Sequence, residues 1–442
     1  MKTLITNALL FNEGRRFESD LLIDGERIAR IAPQIPAEAG WEVIDARGRW
    51  LLPGLIDDQV HFREPGLTHK GELATESAAA VAGGITSFFD MPNVIPQTVT
   101  RAALADKYAM AAGRCHANYA FYFGATNDNA DEIAQLKTDE ACAVKIFMGA
   151  STGNMLVDNP ETLERIFSHS PLIIVTHCED TPTIKRNEDA ARAKYGDEVP
   201  FAEHPYIRSA EACYRSTELA VGLAKKHGTR LHVLHLTTAR ELAFFTPGPV
   251  VGKQITVEAC VHHLFFDESS YAELGSKLKC NPAVKTAADR AALVAAVGEG
   301  RIDIVATDHA PHTREEKANS YFKASAGLPL VQSALLAMLE LASRGELSVE
   351  TVVQRFCHAP ALRFGVRERG FLREGSYADL VLVDPRAQTT VTADSVLYKC
   401  GWSPFEGHTF PARVDRTWVN GQLAYEDGKV SGQRHGQRLR FA

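Results

Sequence analysis

The chain has 442 residues, 45% of them hydrophobic and 23% charged, and a net charge of -7. This length buries a large core and exceeds one typical domain, and the composition is that of an ordinary folded protein. The mild negative charge excludes bulk binding to nucleic acid or to an anionic membrane.

The chain opens on short alternating strands at residues 4–10, 20–23, 27–31 and 41–45, with an Asp-Gly hairpin signal at Asp24-Gly25. Eight apolar segments follow, each ending near polar residues: 50–60, 85–90, 118–123, 143–147, 172–177, 230–235, 255–259 and 302–308. Helical periodicity fills most of the gaps, at 72–82, 209–226, 238–245 and 287–297. Strands alternating with helices imply a parallel sheet, and eight units imply a (β/α)₈ barrel of the TIM type. The strand texture of the start returns at 379–383, 413–419 and 422–425, with Asn420-Gly421 as a second hairpin signal. The expected class is therefore α/β. A barrel at 53–369 is inserted in a small β-sandwich domain built from 1–52 and 370–442. The polar, basic stretch 432–440 reads as a solvated tail.

Eight Cys form no CxxC pair. Cys142, Cys178 and Cys260 sit in apolar runs and are expected as reduced core thiols. The first residues lack a signal-peptide core and no apolar run reaches membrane-spanning length, so a cytoplasmic location is expected.

Barrel active sites form at the carboxyl ends of the strands. Those ends supply Gln59, His61 and Arg63 from strand one, and Asp90 and Asn93 near strand two. Strand four supplies Lys145, strand five His177, strand six His235 and strand eight Asp308. Side chains alternate along a strand, so Gln59, His61 and Arg63 share a face and Asp58 takes the other. Histidines and an Asp from separate strands make a divalent-metal set. Lys145 lies in the apolar run Val144-Lys145-Ile146-Phe147, where a bare ammonium is costly. Its neutral amine can take up CO₂ to give a carbamate, an anionic ligand able to bridge two ions. His232 points away from His235 and reads as a hydrogen-bonded core residue, and His262 and His263 remain ambiguous.

Several stretches together resemble the dihydroorotases of the amidohydrolase superfamily. They are Asp57-Asp58-Gln59-Val60-His61-Phe62-Arg63-Glu64-Pro65-Gly66, Asp90-Met91-Pro92-Asn93, Val144-Lys145-Ile146-Phe147 and Thr176-His177-Cys178-Glu179. His232-Val233-Leu234-His235-Leu236, Asn281-Pro282 and Thr307-Asp308-His309-Ala310-Pro311-His312 continue the likeness, which covers nearly the whole chain. The resemblance implies a zinc centre of one or two ions. His61 and Asp308 would hold one ion, His177 and His235 the other, with carboxylated Lys145 between them. It implies Arg63, Asn93 and His312 as holders of a substrate carboxylate, Asn281 as a further substrate contact, and Asp308 as the catalytic proton shuttle. The reaction implied is reversible cyclisation of N-carbamoyl-L-aspartate to L-dihydroorotate in pyrimidine synthesis. A homodimer or higher homo-oligomer is expected, with aspartate transcarbamoylase as a candidate partner.

One departure bears on the chemistry. The family carries His-x-His on strand one, and Gln59 stands at the first His. A neutral amide is a poor zinc ligand, so the first metal position is expected to have fewer protein ligands or a different ion. Ala283 and Lys285 also depart from the family pattern after Asn281-Pro282. Two alternatives remain beside dihydroorotase: another cyclic amidase (allantoinase, hydantoinase or dihydropyrimidinase), or a non-catalytic scaffold for aspartate transcarbamoylase. The first alternative acts on rings without the carboxylate that Arg63, Asn93 and His312 suit.

Overall fold

In the computed structural model, which describes residues 2–149, 151 and 153–442, eight short parallel strands close into a barrel. They are Leu55–Val60, Ile85–Asp90, Asn118–Phe121, Val144–Met148, Ile174–Cys178, Leu231–Val233, Ile255–Cys260 and Ile304–Ala306. Their side chains are almost all buried, as a parallel sheet covered by helices requires. Strands one to three pair in order; the third hands over at Tyr122 to Phe123–Gly124, which pairs with strand four. Strands four to eight follow in sequence. The ring closes where Val60 bridges His309 and the His61 amide donates to the His309 carbonyl at 2.7 Å.

Helices Leu73–Ala82, Ala210–His227 and Ala287–Glu299 form where the periodicity places them. Ser209 caps the second by accepting from the Ala212 amide, and Gly228 ends it at φ +70°, a left-handed turn with no steric cost to glycine. The segment 238–245 departs from expectation and forms only the 3₁₀ turn Arg240–Phe244. Its Thr238 hydroxyl bonds Glu241 rather than favouring a longer helix, and Pro247 and Gly248 stop propagation.

The run 50–60 is not one strand. Trp50–Pro53 pairs antiparallel with Leu380–Asp384 in the terminal β sheet, and Leu55–Val60 begins the barrel. Gly54 is the crossing point, and a Cβ there would meet Thr86 Oγ1 at 2.1 Å. The terminal sheet has nine strands drawn from both chain ends. Its strand Lys2–Asn12 bulges between Ile5 and Ala8; the first half pairs with Glu42–Asp45 and the second with Trp50–Pro53. That fork folds one sheet over a shared core of Ile5, Leu10, Leu21, Ile28, Leu51, Leu380 and Trp418.

The tail is solvated only in part: residues 432–434 are exposed, but the end of the chain docks on the barrel. The Tyr119 amide donates to Gln437, the Leu439 amide donates back to Tyr119, and Val366 bridges Phe441. Leu439 and Phe441 are buried with Phe89 and Phe364 beneath the barrel. Arg438 and Arg440 flank Leu439, so the buried apolar residues at the end of the chain are hidden in a composition reading. All eight cysteines are free and buried. No helix among the described residues is long and apolar enough to cross a membrane.

Candidate active site

A cavity of about 190 Å³ opens at the carboxyl ends of the strands. Its wall includes Gln59, His61, Arg63, Asn93, Lys145, His177, His235, Asn281, Asp308 and His312, so every site residue read from the sequence meets there. Phe147, Ala310, Ala326 and Gly327 complete the wall. Three of the polar residues sit in left-handed backbone, Arg63 at φ 70°, His235 at φ 38° and Asp308 at φ 48°. Such non-glycine conformations cost about 1–3 kcal/mol each and cluster at functional sites. They turn the chain off the strand axis just where these side chains are needed.

The histidines stand in two pairs. His61 Nε2 lies 3.1 Å from Asp308 Oδ1, and its Nδ1 lies 2.8 Å from Asn93 Oδ1. His177 Nδ1 lies 2.9 Å from His235 Nε2, and its Nε2 lies 2.8 Å from Glu179 Oε2. The acceptors Asn93 Oδ1 and Glu179 assign a proton to the outer nitrogen of each ring. That leaves His61 Nε2 bare against a carboxylate and His177 Nδ1 bare against His235. Burial, the largest influence, holds His61, His177 and His235 below the usual imidazole range, so all three are neutral. Electron pairs converging on shared points form a donor set that fits cations. Glu179 is itself held by Arg208 at 2.7 Å; against its burial, Arg208 and His177 pull it down to about 2.

Lys145 is 1% exposed. Its ammonium touches the face of Phe147, 4.5 Å from the ring centroid, and has no carboxylate within ion-pair distance among the described residues. Burial pushes it down to about 8. Asp308 is raised by burial, but its bond to His61 and the nearby positive charges bring it below the usual carboxylate range.

Gln59 does not act as a substitute imidazole. Its Nε2 donates to Asp308 Oδ1 at 3.2 Å, and its Oε1 faces the Cys260 thiol at 3.6 Å. Asp58 corrects the simple alternation. A register shift between Asp57 and Val60 breaks the strand's pleat, and Asp58 reaches across the interior to His232 Nε2 at 3.3 Å. His232 also meets Glu258 at 3.2 Å and stays out of the cavity wall, as a core residue. Asp90 also serves the scaffold: it accepts the Phe62 amide and pairs with buried Lys107 at 2.7 Å.

On the opposite rim, Arg63 Nε donates to the Pro311 carbonyl and its Nη2 lies 3.1 Å from His312 Nε2. That same ring nitrogen lies 3.0 Å from the Ala326 carbonyl, while Lys70 Nζ lies 3.2 Å from Nδ1. The carbonyl fixes the proton on Nε2, so Nδ1 accepts from Lys70. The His312 proton is thus committed to Ala326, and the Arg63 guanidinium stands beside it. Burial pushes His312 down to about 3 and Arg63 to about 10, so the first is neutral and the second charged near neutral pH. Asn281 adds a buried Oδ1 with no partner. Gly327 lets this rim close: a Cβ there would lie 2.5 Å from the Ala310 carbonyl and 3.1 Å from His312 Cδ2.

Residues 50–424 match the model of the Amidohydrolase family. The chain belongs to that family. It is 35% identical over 418 residues to a dihydroorotase of Halobacterium salinarum, spanning 93% of this chain and 94% of that one. It is 31% identical over 437 residues to an allantoinase of Bacillus velezensis, spanning 97% and 95%. Among solved structures, the L-hydantoinase (dihydropyrimidinase) from Arthrobacter aurescens superposes with a TM-score of 0.92 at 27% identity, covering 99% of each chain. The chain is thus a metal-dependent cyclic amide hydrolase with the barrel architecture of this family.

Sequence reading passed over Glu179, Arg208 and Lys70. Glu179 had a signal, since it stands two residues after His177; Arg208 and Lys70 arrive from loops with none. Glu179→Gln is expected to leave the fold intact and weaken metal binding by about 10–100-fold, as loss of an orienting carboxylate does. Metal titration against a competing chelator checks this; unchanged affinity refutes the orienting role.

Proposed function

We propose that this chain is a dihydroorotase, interconverting N-carbamoyl-L-aspartate and L-dihydroorotate in pyrimidine synthesis. The observation that carries the reading is the Arg63 guanidinium at the cavity rim, buried, charged near neutral pH and with no carboxylate within ion-pair distance among the described residues. A buried fixed cation without a carboxylate partner is relieved by an anion. L-dihydroorotate carries a carboxylate on its ring, whereas hydantoin, dihydrouracil and allantoin do not. The dihydroorotase relative supports the same substrate, and the allantoinase relative supports the second reading, a ring amidase indifferent to the carboxylate.

His61 and Asp308 would hold one divalent ion and His177 and His235 another, with carboxylated Lys145 between them. Zinc suits this imidazole-rich set. Bound there, the ions supply Lewis acidity and a water that ionises near neutral pH. The chain's own residues do the rest. The neutral Lys145 amine forms an N–C bond to CO₂ and releases one proton to solvent, leaving an anionic carbamate. Asn93 fixes the orientation of His61. Arg63, His312 and Asn281 hold the ring so that its amide carbonyl faces Asp308. Asp308 takes the proton of the attacking water and returns it to the leaving ring nitrogen.

Asp308→Asn is expected to keep fold and metal and to lose about 10²–10⁴-fold in turnover, the usual worth of a positioned acid–base group. Near-normal hydrolysis by the folded, metallated variant removes Asp308 from this role. Lys145→Ala is expected to purify with less metal, measured by elemental analysis; full metal occupancy in that variant defeats the bridging assignment. The substrate class is decided by a panel of L-dihydroorotate, dihydrouracil, hydantoin and allantoin. Dihydroorotate should be turned over far faster than the others, because a site built for a charged group rejects analogues that leave it unpaired. Arg63→Met should raise KM for dihydroorotate more than it lowers kcat. Equal rates on allantoin, or unchanged kinetics in Arg63→Met, overturn the dihydroorotase reading in favour of the second.

A further inference from the structure

Behind the cavity wall lies a second group of donors that the reaction does not use. His262 and His263 follow barrel strand seven in the short helix Val261–Phe265, and Cys280 approaches from the segment before Asn281. One donor atom of each lies within 4.8 Å of the others, and none of the three residues lines the cavity. All three are sealed from solvent, at 0%, 3% and 1% exposure.

Their hydrogen bonding is incomplete in a particular way. Among the described residues neither nitrogen of His262 makes a well-formed hydrogen bond, the Thr307 backbone being its only polar neighbour of note, and His263 Nδ1 has no partner. His263 Nε2 lies 3.0 Å from the Pro282 carbonyl, which fixes the ring proton on that nitrogen and leaves Nδ1 a bare electron pair. The Cys280 thiol lies 3.9 Å from His263 Nε2 and 3.3 Å from the same carbonyl. The two rings lie tilted against each other, 3.9 Å between centroids and 45° apart in plane. Burial keeps both rings neutral, and His262 is pushed down to about 4. Buried polar atoms are nearly always satisfied, so two free imidazole electron pairs, one on each ring, in one dry place call for an occupant. A ring whose outer N–H is held by a backbone carbonyl is the usual posture of a metal-ligating histidine.

We propose that His262, His263 and Cys280 form a separate site for a divalent cation of the zinc class, buried behind the reaction centre. Two neutral imidazoles and one thiolate are the ligands such an ion prefers, over the carboxylate oxygens that magnesium or calcium would need. On binding, the S–H bond of Cys280 breaks, its proton leaves to solvent and a sulfur–metal bond forms. The ion would clamp the start of the helix after strand seven to the segment that carries Asn281, and so brace one wall of the cavity. The proposal does not depend on which ring the enzyme opens.

Cobalt(II) loading of the whole protein tests it. A thiolate bound to cobalt gives a near-ultraviolet charge-transfer band. The band should be present in the wild type, absent in Cys280→Ser and retained in Cys260→Ser, whose thiol lies beside Gln59. Cys280→Ser should also lose a single metal ion per chain. Crystals of the zinc-loaded wild type should show an anomalous peak between His262, His263 and Cys280, which decides the matter even where a variant fails to fold. No thiolate band in the wild type, a band that survives Cys280→Ser, or anomalous density confined to the cavity overturns the proposal.

Discussion

A primary amine sealed inside the barrel governs the chemistry of this molecule. An isolated ammonium in a dry interior costs several kcal/mol, and a partner carboxylate normally offsets that cost. Lys145 has an aromatic face instead of a partner. Its position is fixed by strand four, whose neighbours Val144 and Ile146 anchor the outward face in the apolar core. Burial brings this amine down to about 8, so an appreciable uncharged fraction exists near neutral pH, and on the proposed reading that fraction is the one that takes up CO₂. The same desolvation keeps His61, His177 and His235 neutral, so one physical cause acts on the amine and the three imidazoles together.

Delivering those side chains to one point strains the backbone. A regular strand presents alternate residues to one face, but a barrel mouth needs side chains from different strands to converge on its axis. Arg63, His235 and Asp308 meet this need by leaving the strand in a left-handed turn. The cost is repaid by the ordered barrel on either side, whose closing bond between His61 and His309 lies next to the strained residues. The rim is held by a further set of buried cations. Lys317 donates to three backbone carbonyls, those of Lys279, Ser325 and Gly327, and so fixes the loop against which His312 rests.

Much of this was legible in the sequence, for reasons that can be stated. Polar residues at the ends of apolar runs are anomalous in a buried strand, so Lys145, His177, His235 and Asp308 stood out one by one, and eight such ends implied a closed barrel. The terminal strands were legible from their hairpin glycines. What stayed hidden lay in contacts rather than patterns. The break at Gly54 depends on the close approach of Thr86, and the fate of the tail depends on Leu439 and Phe441 finding the barrel floor. The bulge between Asp57 and Val60 leaves no mark in composition, yet it turns Asp58 toward His232 and Glu258.

The same contacts give Gln59 a meaning that its identity alone does not. Read as a missing histidine, it is only a lost ligand. In place, its amide N–H donates to Asp308 Oδ1, the oxygen that also faces His61. Two neighbours thus converge on one oxygen of the carboxylate, and Oδ2 stays free of any hydrogen bond among the described residues. The Gln59 N–H held at Oδ1 biases the orientation of the carboxylate and leaves Oδ2 for the proton. Proton transfer from water to a leaving nitrogen needs a base of fixed direction more than it needs an additional metal ligand. On the proposed reading, Gln59 exchanges a metal contact for control of the proton shuttle, and the weaker first metal position and the better-held Asp308 follow from one substitution.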